Sequence, residues 1–243
     1  MICQLCNQEK KLINAHIIPR SFFSDLTEEG RAPIVIDDKA GSYPKRTPIG
    51  IYDSEILCED CERLFSIWDD YGRQFLSQDI DEDKYVLSNG ERLACNFGAY
   101  DYARLKMFFL SVLWRASVSK NKFFYQVQLG PYQERLKEIV LSGDPGGRDD
   151  FAVALSKFDK EANETGYLNP NRVDWEGVNH YRLYINSYMA IIKVTNMKPP
   201  SSLHGLYFEK NRGLVCIVRE FEKSKEYLAM VHTAKNSRKP VKS

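Results

Sequence analysis

Apolar residues recur along this chain with two different periods, and the change of period divides it. Leu64, Trp68, Tyr71 and Phe75 return at helical spacing and predict a helix over about 59–77 with one core-facing stripe. Tyr102, Leu105, Phe108, Phe109, Val112, Leu113 and Ala116 are apolar nearly all round, which predicts the central helix of the body. Pro131 to Leu141 reads as a further helix with proline in its first turn, closed by Gly143-Asp144-Pro145-Gly146-Gly147. The apolar run after Asp149-Asp150 fits a short helix or a strand. Beyond it, His180 to Val194 and Gly205 to Phe221 are β-branched and aromatic, and Asn211-Arg212-Gly213 predicts a hairpin between 206–208 and 214–218. Ser88-Asn89-Gly90-Glu91 is a turn signal inside a charged connector over 79–98, and 28–50 reads as a polar loop. The expected organisation is a module over 1–80 and an α+β domain over 81–243, helical over 99–170 and antiparallel β over 175–235.

Composition narrows the setting. With 243 residues and 43% hydrophobic content the chain can bury a substantial core. Mean hydropathy is −0.43 and no apolar run approaches the ~20 residues of a membrane span, so a cytoplasmic protein without membrane contact is expected. Net charge is +1 but unevenly spread: residues 1–78 hold 9 Lys and Arg against 13 Asp and Glu, and residues 193–243 hold 11 against 4. A polyanionic partner would therefore be gripped by the C-terminal third, with Lys210, Arg212, Lys223, Lys225 and the tail residues Lys235, Arg238, Lys239 and Lys242 as candidates. That tail also reads as a solvated end.

Six cysteines change the picture of the first 62 residues. Cys3 and Cys6, then Cys58 and Cys61, form two CxxC pairs, a spacing that closes a tetrahedral zinc site and suits a reducing compartment. Cys95 and Cys216 read as buried small hydrophobes. His180, His204 and His232 lack ligand spacing and read as surface or satisfied core histidines, whereas Arg115 inside the apolar helix calls for an acidic partner or, facing the module, a phosphate.

The two CxxC pairs enclosing Ala15-His16-Ile17-Ile18-Pro19 resemble the zinc-stapled HNH (ββα-metal) endonucleases. The stretches Ala15 to Phe23, Ile56 to Tyr71 and Phe108 to Ser117 are similar to bacterial HNH endonuclease-like proteins. The resemblance implies a treble-clef-like ββα module with structural Zn²⁺ on Cys3, Cys6, Cys58 and Cys61, and His16 as the general base that activates water. Asp53 stands where the family has asparagine and Glu62 where it has a metal-binding histidine, so these two would hold a catalytic Mg²⁺ or Mn²⁺; Ala15 replaces the first ligand. The implied function is a metal-dependent endonuclease acting on nucleic acid, DNA foremost, in bacterial defence against phage. The alternative is a catalytically inactive zinc-stabilised module that binds nucleic acid or a protein partner.

Overall fold

The architecture is organised by one helix. A computed structural model describes residues 1–23, 34–36, 45–47, 49–159 and 167–236. In it α3 (Tyr102–Val118) starts where the Asp101 side chain accepts the Arg104 N–H at 2.9 Å. It is buried along nearly its whole length, as its all-round apolar pattern requires.

Two shorter helices, α1 (Glu59–Arg63) and α2 (Ser66–Leu76), replace the single helix expected over 59–77. Tight three-residue hydrogen bonds from Leu64 N to Cys61 O and from Phe65 N to Glu62 O pinch the chain between them. The pinch shifts the helical phase: Phe65 is buried while Leu64, expected in the stripe, is about half exposed. Helix α2 crosses α3 at Gly72, where an added Cβ would lie 2.4 Å from the Phe108 ring, so only glycine permits the approach.

Against α3 lies a seven-stranded sheet whose strands run, edge to edge, over 85–88, 91–98, 214–219, 153–158, 188–193, 178–185 and 171–175. The connector signal becomes the hairpin of β5 (Tyr85–Ser88) and β6 (Glu91–Gly98), turned by Asn89 and Gly90 at positive φ. The run after Asp150 is β7 (Val153–Phe158), a strand in the middle of the sheet, so the region expected to be helical to 170 ends its helices at α4 (Tyr132–Ser142). Strands β9 (Asn171–Trp175), β10 (Val178–Ile185) and β11 (Tyr188–Lys193) continue from β7 as an antiparallel meander. The hairpin expected at 211–213 is not formed. Strand β12 (Leu214–Arg219) instead inserts antiparallel to β6 and parallel to β7, and residue 207 only bridges Ala154. The expected all-β region closes on a helix, α5 (Lys225–Asn236).

The region expected as a polar loop contributes β2 (Ile34–Ile36), which pairs with β3 (Lys45–Arg46) and, in parallel, with β8 (Tyr167–Leu168). One buried cluster runs from Cys3 through α3 to Cys216, so the cysteine end and the body share a core. The opposite sheet face buries Ala154, Phe158, Tyr184, Met189 and Ile191 beneath Tyr227 and Met230 of α5. Among the described residues no helix is long and apolar enough to cross a membrane.

Candidate metal centre and the junction at His16

The first CxxC pair lies on a tight knuckle. Cys3 N donates to Gln8 O, Asn7 N donates to Cys3 O at 2.9 Å, and Asn7 takes a positive φ of 56° that asparagine tolerates. Lys137 on α4 donates to the Asn7 side chain at 2.8 Å and ties the knuckle to the body. The second pair is brought alongside by a bridge between Leu12 and Cys58 and by Gln4 N on Ile56 O. Ligand atoms of Cys3, Cys6, Cys58 and Cys61 then fall within 4.8 Å of one another, a spacing that can hold one metal ion.

Charge at this centre is divided among the sulfurs. Burial pushes the Cys3 thiol up, but the N–H groups of Cys6, Cys58 and Leu5 more than offset it and bring the thiol down to about 7. Burial and hydrogen bonds to the other thiols push Cys61 up. Four sulfurs so close cannot all be thiolates without a cation, and a divalent metal supplies the missing charge.

The cysteine end carries His16 on β1 (Ala15–His16), which pairs with β4 (Tyr52–Asp53) in the register Ala15 to Asp53 and His16 to Tyr52. Directly opposed residues of an antiparallel pair share a face, so His16 lies with Tyr52, ring centroids 6.0 Å apart, and Asp53 lies with Ala15 on the other face. The sequence-expected catalytic pair is thus split across the ribbon.

Asp53 is fully engaged where it stands. One carboxylate oxygen accepts the Glu55 N–H at 2.9 Å, and the other accepts Ser119 Oγ–H at 2.8 Å and Lys120 N–H at 2.7 Å, fastening the ribbon to the end of α3. Asp53→Ala leaves these donors without their charged acceptor and is expected to cost about 3 kcal/mol in chemical denaturation, with metal content retained.

Glu62 folds back on the His16 strand, one oxygen accepting the His16 N–H at 3.3 Å, while Oε2 is buried with no hydrogen-bond partner among the described residues. Burial pushes this carboxyl up, nearby Arg115 opposes the shift, and Asp69 adds to it. Arg115 is fully buried, and of the two partners expected for it, an acidic group or a phosphate, the structure gives the acidic one, which makes it an internal strut. It makes two bonds of 2.7 and 2.9 Å to Asp69, donates to His16 O at 2.9 Å, and lies 4.6 Å over the Phe65 ring. Sequence reasoning missed Asp69. Its signal was its place one turn from Phe65 and one from Gly72 on the buried face of α2, where a cation on the facing helix requires a carboxylate.

The His16 ring is oriented by a backbone carbonyl. Nε2 lies 3.0 Å from Ile49 O, which only accepts, so Nε2 carries the proton and Nδ1 the lone pair. Burial holds the imidazole below its ordinary value; the Ile49 bond opposes this and Arg20 and Arg115 reinforce it, so His16 is neutral at pH 7.

The structure does not bring the suggested catalytic donors into one set: His16 and Asp53 face opposite ways, both Asp53 oxygens already accept hydrogen bonds, Ala15 has no donor, and only Glu62 lies beside His16. Among the described residues the cysteine set is the only cluster of three or more metal-ligating groups.

The remaining candidates are dispersed. Lys210 lies 5.7 Å over the Tyr102 ring and Arg212 pairs with Glu209 at 3.5 Å, both at the N-terminal end of α3. Lys223 pairs with Glu220 at 2.6 Å. Lys225 opens α5; Lys235 falls in its last turn, where side chains lie outside the description, and Arg238, Lys239 and Lys242 lie outside the described residues. His180 is a satisfied core histidine, with Nδ1 at 2.8 Å from Val178 O and Nε2 at 2.8 Å from Tyr207 Oη. Cys95 and Cys216 are buried opposite each other on β6 and β12. Comparison with protein-family models, with curated proteins and with solved structures finds no match for this chain.

Proposed function

We propose that this chain is a zinc-stapled, treble-clef-like ββα module that binds nucleic acid without cleaving it, its HNH-type catalytic positions having been turned to internal structure. The observation that carries the reading is the split of His16 and Asp53 across the β1–β4 ribbon. Zinc is the metal best suited to a four-thiolate set. The supports for nucleic acid are the HNH resemblance and the exposed cations Arg20, Lys45 and Lys122 around the His16 strand.

A metal-dependent endonuclease is the second reading. It is favoured by the neutral, oriented His16 and by the unpartnered Oε2 of Glu62 beside it. Zinc-loaded protein incubated with circular, linear and single-stranded DNA and with RNA, in Mg²⁺ and in Mn²⁺, separates the two. The binding-module reading expects retention of nucleic acid without cleavage. Cutting by the wild type that disappears in His16→Ala, with zinc content and binding unchanged, would transfer the assignment to the nuclease.

A further inference from the structure

Three surface grooves differ in charge. The one between α4 and residues 193–199 sets Arg135, Lys193 and Lys198 against Asp149 and Asp150. The one beside the end of α2 sets Arg73, Arg92 and Lys157 against Asp79, Glu82 and Asp159. The third, of about 490 Å³, is lined by Lys45, Arg46 and Lys122 with Tyr52 and Asn121 and has no acidic residue among the described residues of its lining. Lys45 and Lys122 are exposed and form no ion pair with any described residue. Two exposed cations lining one groove, with no counter-charge among the described residues of that lining, repel each other, and an anion between them removes that cost.

The walls of this groove are fixed. Asn121 donates to Tyr52 O at 3.2 Å and accepts the Phe123 N–H at 3.0 Å, so the residue before Lys122 is bonded to the strand that carries Tyr52. Asp53, one residue on, holds Ser119 and Lys120 from the ribbon's other face. Lys122, just beyond the end of α3, thereby lines the same groove as Lys45 on β3 and the half-buried Tyr52.

We propose that this groove binds single-stranded nucleic acid, with Lys45 and Lys122 on successive phosphates and Tyr52 stacking on an unpaired base; it rests on the nucleic-acid reading above and adds the site and the strand state. A base inside a duplex is already stacked on its neighbours and offers no free face, whereas a single strand supplies phosphate and base face together. The groove's volume is that of a small-ligand pocket, which suits a nucleotide or two. Lys210 and Arg212 lie at the other end of the 17-residue α3, about 25 Å away at 1.5 Å per residue, and so outside this site.

The test uses the full zinc-loaded chain and fluorescence anisotropy of labelled oligo(dT), oligo(U) and a mixed-sequence duplex over a range of salt. Lys45→Glu/Lys122→Glu should weaken single-strand binding by about tenfold or more and lower the slope of log K against log salt by about 1.4, two single-strand phosphate contacts. Tyr52→Leu should weaken binding with the slope unchanged. Melting temperature and zinc content, expected to stay at wild-type values, confirm that the variants fold. Unchanged affinity and slope in the lysine variant, with loss only in Lys210→Glu/Arg212→Glu, would overturn the groove and leave the nucleic-acid reading standing. Tighter binding of the duplex would overturn the strand state. No binding of any oligonucleotide at low salt would overturn the reading and the groove together.

Discussion

Cys58→Ser should release the bound metal and destabilise the chain by about 5 kcal/mol or more, because a structural thiolate site contributes its binding free energy to folding. Cys58 carries more than a ligand: its N–H donates to Cys3 Sγ at 3.4 Å, it bridges Leu12, and the preceding Leu57 O accepts the Ile13 N–H. Loss of the site frees the knuckle, and the buried Leu5, Ile17 and Phe65 then lose the wall they pack against. Elemental analysis should give about one zinc per wild-type chain and none in the variant. Hydrogen exchange should show residues 1–23 and 49–65 opening ahead of the sheet. A metal-free wild type with undiminished thermal stability would dismiss the metal centre.

Arg115→Ala is expected to cost about 3–5 kcal/mol, since it strands Asp69 without its counter-charge and takes the donor from His16 O. Lysine should not restore the loss, because the planar fork makes two parallel bonds to Asp69 and lies over Phe65, which an ammonium cannot reproduce. The double replacement Arg115→Met/Asp69→Leu removes both charges and should recover most of the stability. Urea denaturation of the wild type, Arg115→Met, Asp69→Leu and the double replacement forms a double-mutant cycle. Additive costs for the two single changes would show that the pair is not coupled.

What could be read in the sequence was local. The cysteine spacing, the apolar α3 and the Asn89-Gly90 turn each follow from residues close together in the chain, and each has its expected form. What could not be read depended on distant partners. The Asn211-Arg212-Gly213 turn looked like a hairpin because its flanks are β-formers, yet Leu214 onward finds better pairing with β6 and β7 than with residues 206–208. The phase break at Leu64–Phe65 has no glycine or proline to announce it. Asp53 and Glu62 were legible as carboxylates near a histidine, but which face Asp53 would take depends on a two-residue strand register that no periodicity reveals.

The place of β12 has a consequence for how this protein is made on the ribosome. The last strand to emerge is the third in the sheet, between a hairpin completed by residue 98 and a meander completed by residue 193. Until residues 214–219 leave the exit tunnel, β6 and β7 each present a bare edge to other chains, with apolar side chains on both faces of β7. The interval between β11 and β12 is therefore the nascent chain's period of greatest exposure to aggregation, and a holding chaperone would act on it there.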